Sequence, residues 1–278
     1  MVGTGGLFLE RAVRWGSSYY TALVKIATWN INGMGARLEF VLHWLRERQP
    51  DLVGLQELKM EDDKFPHAEF EAAGYQAVTH GQKAWNGVAI LGRKQVEVTQ
   101  TWLPGQEDFG ARLITADTGE MSFTTVYCPN GKHVEHDDFP RKLAWFDALR
   151  EHFEDQHDAG RPTVLCGDFN ICPTPMDSWK DDGNVASIFH TQEERQRYRS
   201  LLDWGFRDVF RERYPDQETY SWWDYRGGAF HRGMGLRLDF ILGTKAVKVD
   251  SIEVDREYRK KKEGITASDH APVVCDVR

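Results

Sequence analysis

Cysteine is scarce in this chain, with four residues in 278 (Cys128, Cys166, Cys172, Cys275) and no CxxC pair among them. That spacing excludes a zinc knuckle and a disulfide framework, and reduced thiols in a cytoplasmic protein are the expectation. No run approaches the ~20 consecutive apolar residues that a bilayer-crossing helix needs. The opening residues 1–23 carry Arg11 and Arg14 but no continuous apolar stretch ahead of a cleavage site, so a secretory signal is not expected. Internal repeats, low-complexity tracts and Pro/Ser-rich linkers are absent as well. A basic surplus is also missing: 35 Lys and Arg stand against 43 Asp and Glu, a formal net charge of −8. Taken alone, that balance argues against a nucleic-acid partner. A net charge averages over the whole surface, however, and carboxylates gathered round a divalent ion count as negative while the ion goes uncounted.

What the chain does contain is apolar bulk. The hydrophobic fraction is 41%, with 15 Phe, 10 Trp and 9 Tyr, enough to close a sizeable core and to exclude disordered and fibrous classes. Strand-like runs at 24–29, 51–56, 87–91, 113–116, 122–127, 163–167, 236–242, 247–254 and 272–277 alternate with amphipathic helices. One helix carries Leu38, Val41, Leu42 and Leu45 on a single face and stops before Pro50. A longer one over 139–153 turns Leu143, Phe146, Leu149 and Phe153 inward. Thr191 and Glu194 have capping-box spacing ahead of Tyr198, Leu201 and Leu202. The pattern is that of one α/β domain over residues 24–278, preceded by an extension at 1–23.

Unusual polar residues fall where these strands end. Asn30 and Asn32 follow the first, Glu57 the second, and Asp168 and Asn170 the strand at 163–167, while Asp269 and His270 directly precede the last. Strand ends are where α/β folds place reacting groups, on a rigid scaffold beside a wet loop. A lone Asp after a strand is more often a turn former than a ligand. Asp239, set among Leu238, Phe240, Ile241 and Leu242, needs a partner or a metal to be tolerated. Four carboxylates (Glu57, Asp168, Asp239, Asp269) with amides and one histidine make a hard-oxygen set suited to Mg2+ and not to zinc.

The sequence resembles the exonuclease III family of Mg2+-dependent apurinic/apyrimidinic (AP) endonucleases, within the endonuclease/exonuclease/phosphatase superfamily. The matching segments occur in the family's order. They are Ala27-Thr28-Trp29-Asn30-Ile31-Asn32-Gly33, Leu55-Gln56-Glu57, Asn86-Gly87-Val88-Ala89-Ile90-Leu91 and Tyr127-Cys128-Pro129-Asn130-Gly131, then Gly167-Asp168-Phe169-Asn170, Trp222-Trp223-Asp224-Tyr225-Arg226, Arg237-Leu238-Asp239 and Ser268-Asp269-His270. The resemblance implies a four-layer α/β sandwich, two mixed β-sheets face to face and flanked by helices. It also implies hydrolysis of the phosphodiester 5′ to abasic sites in duplex DNA, with 3′→5′ exonuclease and 3′-phosphatase or phosphodiesterase activity. Carried over by position, Glu57 would hold Mg2+ (or Mn2+ in its place) with Asn30 and Asp269 close by. Asp168 would orient or deprotonate the attacking water. Asn130, Asn170 and His270 would hold the scissile phosphate, Tyr127 would support it or the leaving group, and Asp239 would pair with His270.

The choice of substrate falls to other residues. An aromatic at Trp222 and an apolar side chain at Leu236 would wall a pocket for a flipped, baseless sugar, with Asn32 and Arg226 beside the substrate. The plainer alternative makes Trp222 and Trp223 core aromatics. Basic residues at Lys59, Lys83 and Lys132 and in 256–263 would grip the backbone, whereas Arg195, Arg197 and Arg199 read as a solvated helix face. The expected partner is duplex DNA with abasic sites or blocked 3′ ends, met by a monomer without a membrane; in a bacterium the cytoplasmic enzyme would associate with the nucleoid. A phosphodiesterase of the same scaffold acting on another phosphate ester is the alternative, and a non-catalytic DNA-binding module is a third. Leu58 after Glu57, the 107–112 segment and the lack of an Asn in 228–235 depart from the family's pattern.

Overall fold

The computed structural model describes residues 23–180, 187–262 and 264–278, so all of the expected extension except Leu23 lies outside them. Strands run at Val24–Asn30 (β1), Leu52–Gln56 (β2), Gln76–His80 (β3), Val88–Gly92 (β4), Glu97–Gln100 (β5), Leu113–Asp117 (β6), Ser122–Tyr127 (β7) and Thr163–Asp168 (β8). They continue at Phe206–Asp208 (β9), Trp222–Trp223 (β10), Gly235–Leu236 (β11), Asp239–Thr244 (β12), Val249–Val254 (β13) and Val273–Val277 (β14). Helices span Met34–Arg48 (α1), His67–Ala72 (α2), Asp138–Gln156 (α3), Gln192–Trp204 (α4) and Val209–Arg213 (α5).

Two six-stranded mixed sheets result, ordered β13-β14-β1-β2-β4-β3 and β5-β6-β7-β8-β12-β9, with a short β10-β11 hairpin beside them. Each sheet has one parallel pair at its centre, β1 with β2 and β7 with β8. Period-two alternation sorts the side chains. Ala27 and Trp29 pack outward under Phe40, Val41 and Trp44 of α1, while Ile26, Val164, Phe123 and Cys275 meet between the sheets. Leu165, Phe240 and Leu242 face Trp145, Phe146 and Leu149 of α3 and Tyr198 and Leu201 of α4. The expected four-layer sandwich is therefore present: helix, sheet, sheet, helix.

Four local expectations change. The strand read at 236–242 breaks, because the buried Arg237 guanidinium turns to Asp177 (2.7 Å) and Asp208 (2.7 Å); Leu236 pairs with Trp222, and only Asp239 onward joins the main sheet. Edge strands β3 and β5 were not expected, since β5 is largely exposed on both faces and β3 is only partly buried on either, leaving no apolar alternation to read. On α3 it is Lys142, not Leu143, that is wholly buried. Its ammonium contacts Glu194 (2.5 Å) and donates to the carbonyls of Asn130 (3.2 Å) and Asn170 (2.7 Å). Glu194 in turn completes the capping box with Thr191. Of the three arginines read as a solvated face, Arg199 is exposed, but Arg197 pairs with Asp147 and Arg195 donates to the Cys172 carbonyl.

Between the sheets a Cβ on Gly54 would lie 2.5 Å from Thr125 Oγ1 and 3.1 Å from Cys166 Sγ, so the two sheets close only on glycine. Gly54→Ala is expected to destabilise by about 1–3 kcal/mol, read as a lower urea midpoint. Lys142→Ala leaves the Glu194 carboxylate buried without its cation and is expected to lower stability by about 3–5 kcal/mol. Adding Glu194→Gln keeps an acceptor for the cap, removes the orphaned charge and recovers part of that loss in the same denaturation assay.

Candidate active site

Along the four central strands the residues facing the opposite sheet grow more polar in the same direction. They run Ile26, Thr28, Asn30 on β1; Leu52, Gly54, Gln56 on β2; Phe123, Thr125, Tyr127 on β7; and Val164, Cys166, Asp168 on β8. Midway, Gln56 Nε2 donates to Thr28 Oγ1 (2.9 Å) and Thr125 Oγ1 (2.7 Å), a polar seam across the sheets. At the C-terminal ends the Asn30 amide donates to Glu57 Oε1 and to Asp168 Oδ2, both at 2.9 Å, while its Oδ1 accepts the Asn32 N–H (3.0 Å).

The loops that follow are held in tense conformations. Asn32, Glu57, Lys59 and Asn170 have φ of 50–56°, in the left-handed region that residues other than glycine avoid. Backbone bonds fix them: Gly33 N–H to Glu57 O (2.8 Å), Leu58 N–H to Gly87 O (3.0 Å) and Lys59 N–H to Asn86 O (2.9 Å). Such strain persists only where the surroundings over-determine it, and it clusters at working sites.

Asp239 lies directly across from Asp168 in the β8–β12 pairing. Its Oδ2 accepts from His270 Nδ1 (2.8 Å) and Ser221 Oγ (2.6 Å), and His270 Nε2 faces Asp168 Oδ2 at 3.8 Å. Burial opposes charge on His270, but Asp239, Asp168 and Asp269 outweigh it and push its pKa up to about 10, so the imidazolium persists at neutral pH. Asp168 moves the other way for a carboxylate. Burial, with Asp239 and Glu57 nearby, raises it to about 7 against the help of His270 and the Asn30 hydrogen bond. Burial also opposes charge on Glu57 and Asp269, yet both stay below the usual carboxylate range: Asn30 and Lys59 support Glu57, and His270, Trp222 and Asn32 support Asp269. Burial and the charges of Glu57 and Asp168 lift the Tyr127 phenol well up, so it keeps its proton. Arg112 lies 4.8 Å over the Tyr127 ring and donates to its carbonyl.

Most residues nominated from the sequence converge here. Asn32 donates to Asp269 Oδ1 (2.9 Å), Trp222 Nε1 donates to Asp269 Oδ2 (3.0 Å), and Asn130 Nδ2 donates to Asn170 Oδ1 (3.3 Å). The two tryptophans divide: Trp223 is wholly buried core, whereas half-buried Trp222 packs with Leu236, Cys172, Leu238 and Phe189 into a small apolar wall beside Asp269. Arg226 stands apart, its side chain 88% exposed and folded back on Asp224. Arg259, read as part of a DNA-gripping run, is buried and donates to the carbonyls of Asp269 and Trp223; Glu263 of that run lies outside the described residues. Ser221 went unnoticed in the sequence, although its hydroxyl also accepts the N–H groups of Leu238 and Asp239. Its signal was faint, one small polar residue ahead of Trp222.

The donor chemistry fits a hard divalent cation. Carboxylates of Glu57, Asp168 and Asp269 crowd among neutral amides, and the Lys59 ammonium already sits 2.7 Å from Glu57 and 2.6 Å from Asn32 Oδ1. Ligand atoms of Asp168, Asp239 and His270 also lie within 4.8 Å of one another. That trio is a poorer seat, because Asp239 and His270 are bonded to each other and a doubly protonated imidazole offers no lone pair.

Comparison with known proteins agrees with this geometry. The model of the endonuclease/exonuclease/phosphatase family matches residues 27–270. Exodeoxyribonuclease III of Haemophilus influenzae is 34% identical over 272 residues, covering 92% of this chain and 100% of the relative. Among solved structures, an AP endonuclease from Archaeoglobus fulgidus superposes with a TM-score of 0.85 at 34% identity, over 91% of this chain and 98% of that one. The 3′ phosphatase NExo from Neisseria, bound to a product DNA hairpin, superposes with the same TM-score at 38% identity and the same coverage. The chain belongs to the endonuclease/exonuclease/phosphatase family.

Proposed function

We propose that this chain is a metal-dependent phosphodiester hydrolase of DNA repair, an AP endonuclease that cleaves 5′ to abasic sites in duplex DNA and also trims or dephosphorylates 3′ ends. The observation that carries the proposal is the Asn30 amide holding Glu57 and Asp168 together, with the Asp239–His270 pair facing the same Asp168. All of these groups come from one chain, so a monomer suffices.

Glu57 would hold the cation, with Asn30 and Asp269 beside it, and Mg2+ (or Mn2+) there would supply charge neutralisation for the phosphate and the leaving oxygen. Asp168, titrating near neutrality, accepts a proton from the water that attacks phosphorus. The His270 imidazolium and the amides of Asn130 and Asn170 hold the non-bridging oxygens without repelling the nucleophile. Tyr127, protonated throughout, donates to the phosphate or to the leaving oxygen. Asn32 steadies Asp269. The wall of Trp222 and Leu236 admits a sugar without its base. Arg226 meets the backbone from its exposed loop.

One gel assay comparing abasic duplex, intact duplex and a recessed 3′ end tests this. Nicking at the abasic site with Mg2+ is expected, abolished by EDTA, and reduced by about 10²–10⁴-fold in Asp168→Asn. Full nicking in EDTA overturns the proposal, as does hydrolysis of a soluble phosphodiester with abasic DNA left whole. Leu236→Ala opens the wall, and discrimination between abasic and intact duplex is expected to fall by about tenfold in kcat/KM ratio.

A further inference from the structure

Lys59, one of the basic residues expected to grip the DNA backbone, points its ammonium into the acidic site instead. Nζ lies 2.7 Å from Glu57 Oε2 and donates to Asn32 Oδ1 at 2.6 Å. The same Asn32 amide donates to Asp269 Oδ1 at 2.9 Å, so one chain of contacts runs from Glu57 through Lys59 and Asn32 to Asp269. Asn30 Nδ2 takes Glu57 Oε1, and the ammonium sits on the other oxygen. The backbone of Lys59 is fixed, with φ of 54° and its N–H on the Asn86 carbonyl (2.9 Å). Its side chain is not enclosed: it is 30% exposed, whereas wholly buried Lys142 is locked by Glu194 and two carbonyls. A flexible four-carbon stem on a fixed base lets the charge swing away from Glu57.

We infer that Lys59 is a built-in competitor of the divalent cation, holding Glu57 until a DNA phosphate draws the ammonium away; the inference rests on the metal-dependent reading above. Two positive charges attracted to one carboxylate oxygen repel each other, so the ammonium weakens cation binding for as long as it stays. A phosphodiester delivered to the site offers Lys59 a second anion, and its move there relieves that repulsion. By linkage, phosphate and cation then strengthen each other's binding by the same factor. Neighbouring cations are placed differently: His270 is tied through Nδ1 to Asp239, and Arg37 donates to the Asn32 carbonyl and the Tyr225 hydroxyl. A strut that only held Glu57 in place would act with the opposite sign, because its removal would slacken the carboxylate and weaken cation binding.

The test titrates Mn2+ into the full chain without DNA and reads free Mn2+ by electron paramagnetic resonance. Lys59→Met keeps the stem and removes the charge, and its Kd for Mn2+ is expected to fall by about fivefold or more. Lys59→Arg keeps the charge and is expected to bind Mn2+ no more tightly than the wild type. Lys64→Met removes an exposed charge paired with Glu61 and is expected to leave the Kd unchanged. At saturating Mn2+, the dependence of log kcat/KM for abasic nicking on log salt is expected to become shallower by about one in Lys59→Met, the mark of one lost phosphate contact. An unchanged or weaker Mn2+ affinity in Lys59→Met, an equal gain in Lys64→Met, or an unchanged salt slope overturns the inference. The titration needs no DNA, so it stands apart from the nuclease proposal, whose failure shows instead as wild-type enzyme that leaves abasic duplex whole.

Discussion

A neutral amide is the keystone of this protein. Asn30 ends a strand of one sheet, Asp168 ends a strand of the other, and the Asn30 Nδ2 group donates to Asp168 and to Glu57 at once. An Asp at that position would add a fourth carboxylate to the three of Glu57, Asp168 and Asp269, and a Lys would neutralise the charge that draws in a divalent ion. Asn alone offers two N–H groups and no charge while its oxygen closes the turn to Asn32. The sheets reach it because β1 and β8 both point every second residue into the gap, and because Gly54 lets that gap close.

Charge is then distributed by environment and not by residue type. Three carboxylates within one pocket behave differently: Glu57 and Asp269 are held ionised by amide, indole and ammonium donors, whereas Asp168 hovers near neutrality because burial and its neighbours Asp239 and Glu57 oppose its ionisation. Two acids suited to holding a cation and one suited to exchanging a proton follow from burial, neighbouring charge and hydrogen bonding together. His270 completes the set, since Asp239 fixes its Nδ1 and leaves Nε2 turned toward Asp168.

Much of this was legible in the sequence because strand ends mark themselves. An apolar run that stops at Asn30, Glu57 or Asp168 announces both an element and a polar group delivered by it, and the central strands of both sheets fell within a residue or two of expectation. Edge strands β3 and β5 did not, since neither has a uniformly buried face to set up the alternation that betrays a strand. Leu236 and Asp239 looked like one strand because nothing in the primary structure says that Arg237 points inward. Lys142 was invisible for the same reason: a lysine in an amphipathic helix reads as solvent-facing until a partner such as Glu194, 52 residues on, is seen to cover it.

Direction is what a list of charges lacks, and here it changes what the basic residues mean. Of the run beginning at Arg256, buried Arg259 holds the carbonyls of Asp269 and Trp223, while Arg256, Lys260 and Lys261 stay exposed. Lys142 likewise serves Asn130 and Asn170 through their carbonyls. Two cations that would be counted toward a DNA footprint, Arg259 and Lys142, are therefore turned inward, onto the backbone that carries Asp269, Asn130 and Asn170. A net charge of −8 is compatible with a phosphate substrate on the proposed reading, in which recognition is concentrated in a few amides, one imidazolium and a cation, and not spread over a basic face.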